Sequence, residues 1–155
     1  MILVAYCHGL RASEVVAIVR DDIKDGHLDI RRLKGSKRTI QPLLEHADPL
    51  LNERLALIEF VREMYPNQPI FPVCRRTFGR IVARHAQAAG MPAHKRHPHM
   101  LKHTIATEIY RKTKDLTLVQ AHLGHVSGAS SMEYTKKDAE LAAVEVQALI
   151  NLGEL

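Results

Sequence analysis

The sequence predicts a mainly α fold with a small antiparallel β-sheet (α+β). Apolar residues recur at helical spacing from Asp48 onward, and turn signals at Asp25-Gly26 and Gly35-Ser36 bracket two alternating segments. The 155 residues, 46% of them apolar, suffice for one domain with a packed core. Residues 2–6 are apolar and run into Gly9, a turn or cap. Residues 13–20 carry Val15, Val16, Ile18 and Val19 and predict a short buried helix. Residues 27–33 alternate imperfectly and residues 39–43 resume extended character. Together they predict a hairpin with a basic tip, Arg31-Arg-Leu-Lys-Gly-Ser-Lys-Arg38.

Asp48-Pro49 opens an amphipathic helix over residues 49–65, with Leu51, Leu55 and Ile58 and also Leu50, Leu57, Val61 and Met64 near helical spacing. Pro66, Pro69 and Pro72 end it, and residues 69–72 suit a short edge strand. A helix over residues 75–89 is closed by Gly90, and residues 92–98 form a basic loop. A helix over residues 100–112 buries Leu101, Ile105 and Ile109. Another over residues 116–123 is stopped by Gly124. A small helix at 128–136 carries Tyr134, and a final amphipathic helix at 138–151 shows Leu141, Val144, Ala148 and Leu149. There is no internal repeat and no low-complexity segment.

Composition narrows the function. The chain has 22 Lys+Arg against 17 Asp+Glu, a formal charge of +5 and a pI near 9.4. Such a balance suits an anionic partner, nucleic acid first, although a merely basic soluble protein would look the same. Cys7 and Cys74 lack the spacing of a staple or a zinc site and read as buried thiols in a reducing compartment. No apolar run reaches the roughly 18 residues of a membrane span, and the amino terminus lacks the basic leader and cleavage site of a signal peptide. A cytoplasmic protein without membrane contact is expected.

The chemistry concentrates late in the chain. Six of the ten histidines fall between His94 and His125. On a helix starting near Pro98, His99 and Lys102 share a face and point together at one anion, or else form a solvated polar face. His122 and His125 flank Gly124, but surrounding lysines and arginines repel a cation, so no metal site is expected. A lone tyrosine is usually a packed aromatic, as expected for Tyr6, Tyr65 and Tyr110. Tyr134, following several cations and imidazoles, also fits a nucleophile attacking a phosphodiester.

Four segments appear in order: Gly9-Leu-Arg-Ala-Ser-Glu14, His99-Met-Leu-Lys-His103, Leu123-Gly-His125 and Tyr134. They resemble the signature boxes of the tyrosine recombinases, or phage integrases, over about residues 3–136. His97-Pro-His-Met-Leu and the Arg-Arg-Leu-Lys hairpin are most similar to the short members that flip fimbrial promoters. The resemblance implies the family's catalytic-domain fold and a site-specific recombinase that cleaves and rejoins DNA through a 3′-phosphotyrosine. It implies catalytic roles for Arg11, His99, Lys102 and His125, with Tyr134 as nucleophile. Lys34 matches the lysine that protonates the leaving 5′ oxygen, with Lys37 an alternative alignment. Glu14 fits a carboxylate supporting Arg11. Double-stranded DNA is the implied partner, met by Arg31, Arg32, Lys37, Arg38, Lys95 and Arg96. A homotetramer on DNA is implied, and no cofactor, because side-chain cations replace a metal.

The chain departs from the pattern twice. Lys102 stands where the second box ordinarily ends in arginine, and an ammonium lacks the guanidinium's two-oxygen grip. Only ten residues precede Arg11, so residues 1–155 are expected to be a single catalytic domain without the family's amino-terminal DNA clamp. Both departures also fit a catalytically impaired, recombinase-derived DNA-binding protein. A type IB topoisomerase-like enzyme and a metal-dependent hydrolase are weaker alternatives.

Overall fold

The computed structural model describes residues 1–33 and 36–125. Lys34 and Gly35 lie outside the described residues, as do Tyr134 and the helices expected at 128–136 and 138–151. The described part is mainly helical: α1 (Ile2–Cys7), α2 (Ala12–Val15), α3 (Glu53–Val61), α4 (Arg75–Ala88), α5 (His99–Thr113) and α6 (Leu116–Leu123). A three-stranded antiparallel sheet runs in the order β1 (Ile23–Lys24), β2 (His27–Ile30), β3 (Thr39–Pro42). Asp25 and Gly26 join β1 to β2 with φ of 50° and 73°, the two positive angles a tight hairpin turn requires. β2 pairs with β3 from His27 opposite Pro42 to Ile30 opposite Thr39.

The main core gathers Val4, Leu10, Val15, Leu28, Ile30, Leu57, Phe78 and Val82. A smaller cluster holds Ala106, Val119 and Leu123. Helix α5 serves both, with Leu101 packed on the first and Ala106 buried in the second. No helix among the described residues is long and apolar enough to cross a membrane.

Several local expectations give way to tertiary structure. The helix expected at 13–20 is a single turn, α2. Beyond it, Val19 forms an isolated bridge with Pro69, all that the described residues keep of the edge strand expected at 69–72. The β-branched run favours extended backbone, and the Asp22 carboxylate accepts from the Val19 N–H at 2.9 Å to open a new turn.

The helix expected at 49–65 begins as a 3₁₀ turn at Pro49–Leu51 and restarts after Asn52, whose side chain caps α3 by accepting from the Leu55 N–H at 2.9 Å. Its buried residues are Glu53, Leu57 and Val61, while Leu50, Leu51, Leu55 and Ile58 face solvent. Glu53 sets that rotation: its carboxylate accepts from His8 Nε2 and the Leu44 N–H, each at 3.0 Å. In α5 the buried residues are Lys102 and Ala106, whereas Leu101, Ile105 and Ile109 are half-buried. Cys7 is half-buried but Cys74 is exposed, so the buried-thiol expectation fails for Cys74. Tyr65 is 80% exposed and is not a packed aromatic.

Helices α1 and α6 end alike, with a glycine in the left-handed region. After α1, Gly9 (φ 58°) donates to the Tyr6 carbonyl and Leu10 to that of Ala5. After α6, Gly124 (φ 67°) donates to the Ala121 carbonyl and His125 to that of Gln120. Both are Schellman endings, which turn the chain sharply off the helix axis. Neither glycine has room for a side chain. A β-carbon on Gly9 would collide with the Leu123 side chain, and one on Gly124 would lie 2.5 Å from the Lys37 carbonyl oxygen and 3.1 Å from Arg32 Cγ. Gly124→Ala is therefore expected to cost about 2–4 kcal/mol in urea denaturation. Gly79→Ala, whose added carbon meets nothing within 4 Å in mid-helix, should gain about 0.5–1 kcal/mol in the same assay.

Candidate active site

Arg11 follows the α1 ending by two residues and occupies the N-cap of α2 in extended conformation. Glu14, three residues on, reaches back. One carboxylate oxygen accepts from the Arg11 N–H at 2.7 Å; the other accepts from Arg11 Nη1 at 2.8 Å and from the Leu33 N–H at 3.0 Å. Arg11 Nη1 also donates to the Leu33 carbonyl at 3.1 Å. The Arg11–Glu14 pair thus grips the backbone immediately before Lys34. Burial opposes the Glu14 charge, but the Leu33 and Arg11 N–H groups and the Arg11 guanidinium outweigh it and hold the carboxyl below its usual range.

Lys102 points inward from α5. It is 3% exposed, and its Nζ has no hydrogen-bond partner among the described residues. Burial, then the Arg11 charge, lower its ammonium to about 8 despite nearby Glu14. His125, placed by the α6 ending, is lowered to about 4 by burial and then by Lys102, Arg11 and Arg32, so it is neutral at physiological pH. His99 is exposed, stands edge-on to the His103 ring at 4.5 Å between centroids, and is lowered by burial and then by neighbouring His103 and His97, with Lys102 and Arg11 adding to it. Lys102, His125 and His99 therefore all feel the Arg11 charge, and both histidines that of Lys102, across α2, α5 and the end of α6. Glu14 is the carboxylate acting on both Lys102 and His125.

The hairpin is anchored on both sides of its tip. Leu33 is held by Arg11 and Glu14, and the Lys37 N–H donates to the Gly124 carbonyl at 2.8 Å. Lys37 and Lys95 are exposed, Arg31 lies 3.5 Å from Asp22, and Arg38 forks onto Asp29. Arg96 donates through Nε to the Met91 carbonyl at 2.7 Å.

Arg32 corrects its expected role as a DNA contact. Its side chain is fully buried, and its nitrogens donate to the carbonyls of Gly9, His8 and His122 and to Thr39 Oγ1. The sequence reading also passed over Arg76, Arg80 and Arg84, four apart on the exposed side of α4, with Phe78 and Val82 buried opposite. None of the three has an ion-pair partner among the described residues. Their i, i+4, i+8 spacing opposite two apolar residues was the available signal.

Lys102 generates a stability prediction. Its folded pKa lies below the unfolded value of about 10.4. The unfolded chain thus binds the extra proton, and stability rises with pH between about 8 and 10.4. At pH 7 the full cost of the buried ammonium is present. Lys102→Met should raise unfolding free energy by about 1–3 kcal/mol at pH 7 and flatten the rise above pH 8, read by denaturation across pH.

The phage integrase family matches residues 1–140. Tyrosine recombinase XerH of Campylobacter jejuni subsp. jejuni is 32% identical over 151 residues, covering 94% of this chain and 43% of that protein. The chain thus spans about half the length of the curated relatives it matches. The structure of XerH site-specific recombinase on palindromic difH substrate, a post-cleavage complex, superposes with a TM-score of 0.72 at 26% identity, covering 96% of this chain and 44% of that one. The lambda integrase catalytic core shares the fold, with a TM-score of 0.58 at 22% identity over 80% of this chain and 77% of that one. With its ordered boxes on this fold, the chain belongs to the phage integrase family, the tyrosine recombinases.

Proposed function

We propose that this chain is the catalytic part of a site-specific DNA recombinase that cleaves and rejoins duplex DNA through a 3′-phosphotyrosine at Tyr134. The observation that carries the reading is the Lys102 ammonium, buried without a hydrogen-bond partner among the described residues and within reach of the Arg11 charge. Glu14 does not offset the burial and the Arg11 charge that act on this group, and a phosphodiester supplies a further anion. In this scheme Arg11 and Lys102 take the non-bridging phosphate oxygens, and neutral His125 and His99 add hydrogen bonds. Tyr134 Oη attacks phosphorus as its proton passes to a neutral imidazole of the site, His99 or His125. The bond from phosphorus to the 5′ oxygen breaks, and Lys34 delivers a proton to that oxygen. Rejoining is the reverse, with the 5′ hydroxyl attacking the phosphotyrosine, so no external energy source is needed.

Fixed cations stabilise the charge that builds on the phosphate, and no step requires a cofactor. Lys37, Lys95 and the arginine stripe of α4 are exposed cations suited to the DNA backbone, with Arg31 and Arg38 available by exchanging a carboxylate for a phosphate. Assembly on DNA is proposed as a homotetramer. The similarity of the fold to XerH in its substrate complexes supports a DNA-bound reading.

Tyr134→Phe is expected to abolish denaturant-resistant protein–DNA adducts on nicked duplexes while leaving binding within about twofold. An adduct that persists in this variant overturns the assignment. Binding at low salt with no adduct from the native chain favours the impaired, DNA-binding reading. Lys102→Arg should speed adduct formation about ten- to hundredfold, since a guanidinium grips two oxygens at once. At subsaturating DNA the native rate should fall above pH 8 as the Lys102 proton is lost, and the arginine variant should not show this decline.

A further inference from the structure

We propose that Arg32 is a positioning residue of the cleavage site: its buried guanidinium caps the carboxyl ends of α1 and α6 together and so holds Arg11, the backbone before Lys34 and His125 in one register. The inference rests on the recombinase reading for its catalytic arm.

A helix leaves its last carbonyls without partners, and a Schellman ending satisfies only two of them. In α1 those two belong to Ala5 and Tyr6. The next carbonyl, Cys7, accepts from His122 Nε2 at 2.9 Å. His8 accepts from Arg32 Nη2 at 2.9 Å and Gly9 from Arg32 Nη1 at 3.1 Å. In α6 the two belong to Gln120 and Ala121. The next, His122, accepts from Arg32 Nη2 at 2.8 Å and from Gln41 Nε2 at 2.6 Å. One guanidinium therefore closes both helix ends, while its Nε donates to Thr39 Oγ1 at 3.1 Å, where β3 begins.

Each capped end leads directly into the site. Gly9 and His8 lie two and three residues before Arg11, and His122 lies three before His125. Arg32 itself immediately precedes Leu33, which Arg11 and Glu14 hold. A Glu14 oxygen lies 3.8 Å from Arg32 Nη1, so the carboxylate that orients Arg11 also faces the cap. A direct DNA role does not fit, because the side chain has no exposed surface and four of its five N–H donors are already engaged. Lysine cannot replace it, since one nitrogen cannot reach carbonyls that Arg32 serves from separate nitrogens.

The test compares the native chain with Arg32→Lys and with the milder Thr39→Val, which removes only the Nε partner. Amide hydrogen exchange is followed at Leu10, Lys37 and His125, with Phe78 and Val82 in α4 as reference; adduct rate at saturating DNA and DNA affinity across salt are measured alongside. Positioning predicts exchange at the three site amides faster by about tenfold or more in Arg32→Lys and about threefold in Thr39→Val, with the α4 amides unchanged. It also predicts adduct formation slowed about a hundredfold in Arg32→Lys, with affinity within about twofold. Uniform acceleration of all amides, with adduct loss matching the unfolded fraction, overturns the proposal in favour of simple stabilisation. Weaker binding with a shallower salt dependence overturns it in favour of a phosphate contact, and unchanged exchange overturns it outright. If the native chain forms no adduct, the recombinase reading fails while the exchange pattern still decides the role of Arg32.

Discussion

The fold turns on one buried cation. Placing a guanidinium where water cannot reach it is costly unless every donor finds an acceptor and the charge is opposed. Arg32 meets both largely through helix geometry, with four of its five N–H groups in hydrogen bonds. The carboxyl ends of α1 and α6 carry partial negative charge, and both are aimed at it. Glu14 supplies a formal charge at 3.8 Å. Burial lowers the guanidinium to about 10, against Glu14, so it remains charged at neutral pH. Two helix ends far apart in sequence are thereby fixed to each other and to the base of the hairpin.

A second polar chain supports the same junction. His8 and Glu53 are both nearly inaccessible, and His8 links the Glu53 carboxylate through Nε2 to the Gln41 amide oxygen through Nδ1, at 2.7 Å. Gln41 then donates from β3 to the His122 carbonyl. His122, lowered to about 4 by burial and then by Arg32, stays neutral and donates to Cys7. Apart from Glu53 Oε1, which has no partner among the described residues, this buried network is connected throughout, and it favours one arrangement of its elements over others because a shift leaves further polar groups unpaired.

The site this junction frames is electrostatically unbalanced. Arg11, Lys102 and Arg32 converge with Glu14 as the carboxylate among them, and Lys102 Nζ has no hydrogen-bond partner among the described residues. The imbalance destabilises the free protein, and in the proposed scheme an incoming phosphate relieves it. Stability given up at one place for affinity at that place is the expected signature of a functional site. Lys102 sharpens this feature. An arginine there would stay charged at any physiological pH, whereas the buried ammonium sits near its titration point.

Much of this was legible in the residues themselves. The helical spacing after residue 75, the Asp25-Gly26 turn and the glycines that end α1 and α6 are local signals, and they act locally in the fold. The order of the boxes, with Arg11, His99 and His125 in their places and Lys102 as a departure, carries the family resemblance. Sequence periodicity did not predict which face of α3 and α5 turns inward: Glu53 and Lys102 are buried where leucines and isoleucines were expected. Nor did it distinguish Arg32 from Arg31, adjacent arginines of which one is solvated and one is the cap of two helices. The sequence by itself determined the chemistry on offer and most of the elements that carry it. Tertiary structure alone decided which charges are buried, since a helix's unpaired carbonyls choose their donors only when distant segments meet.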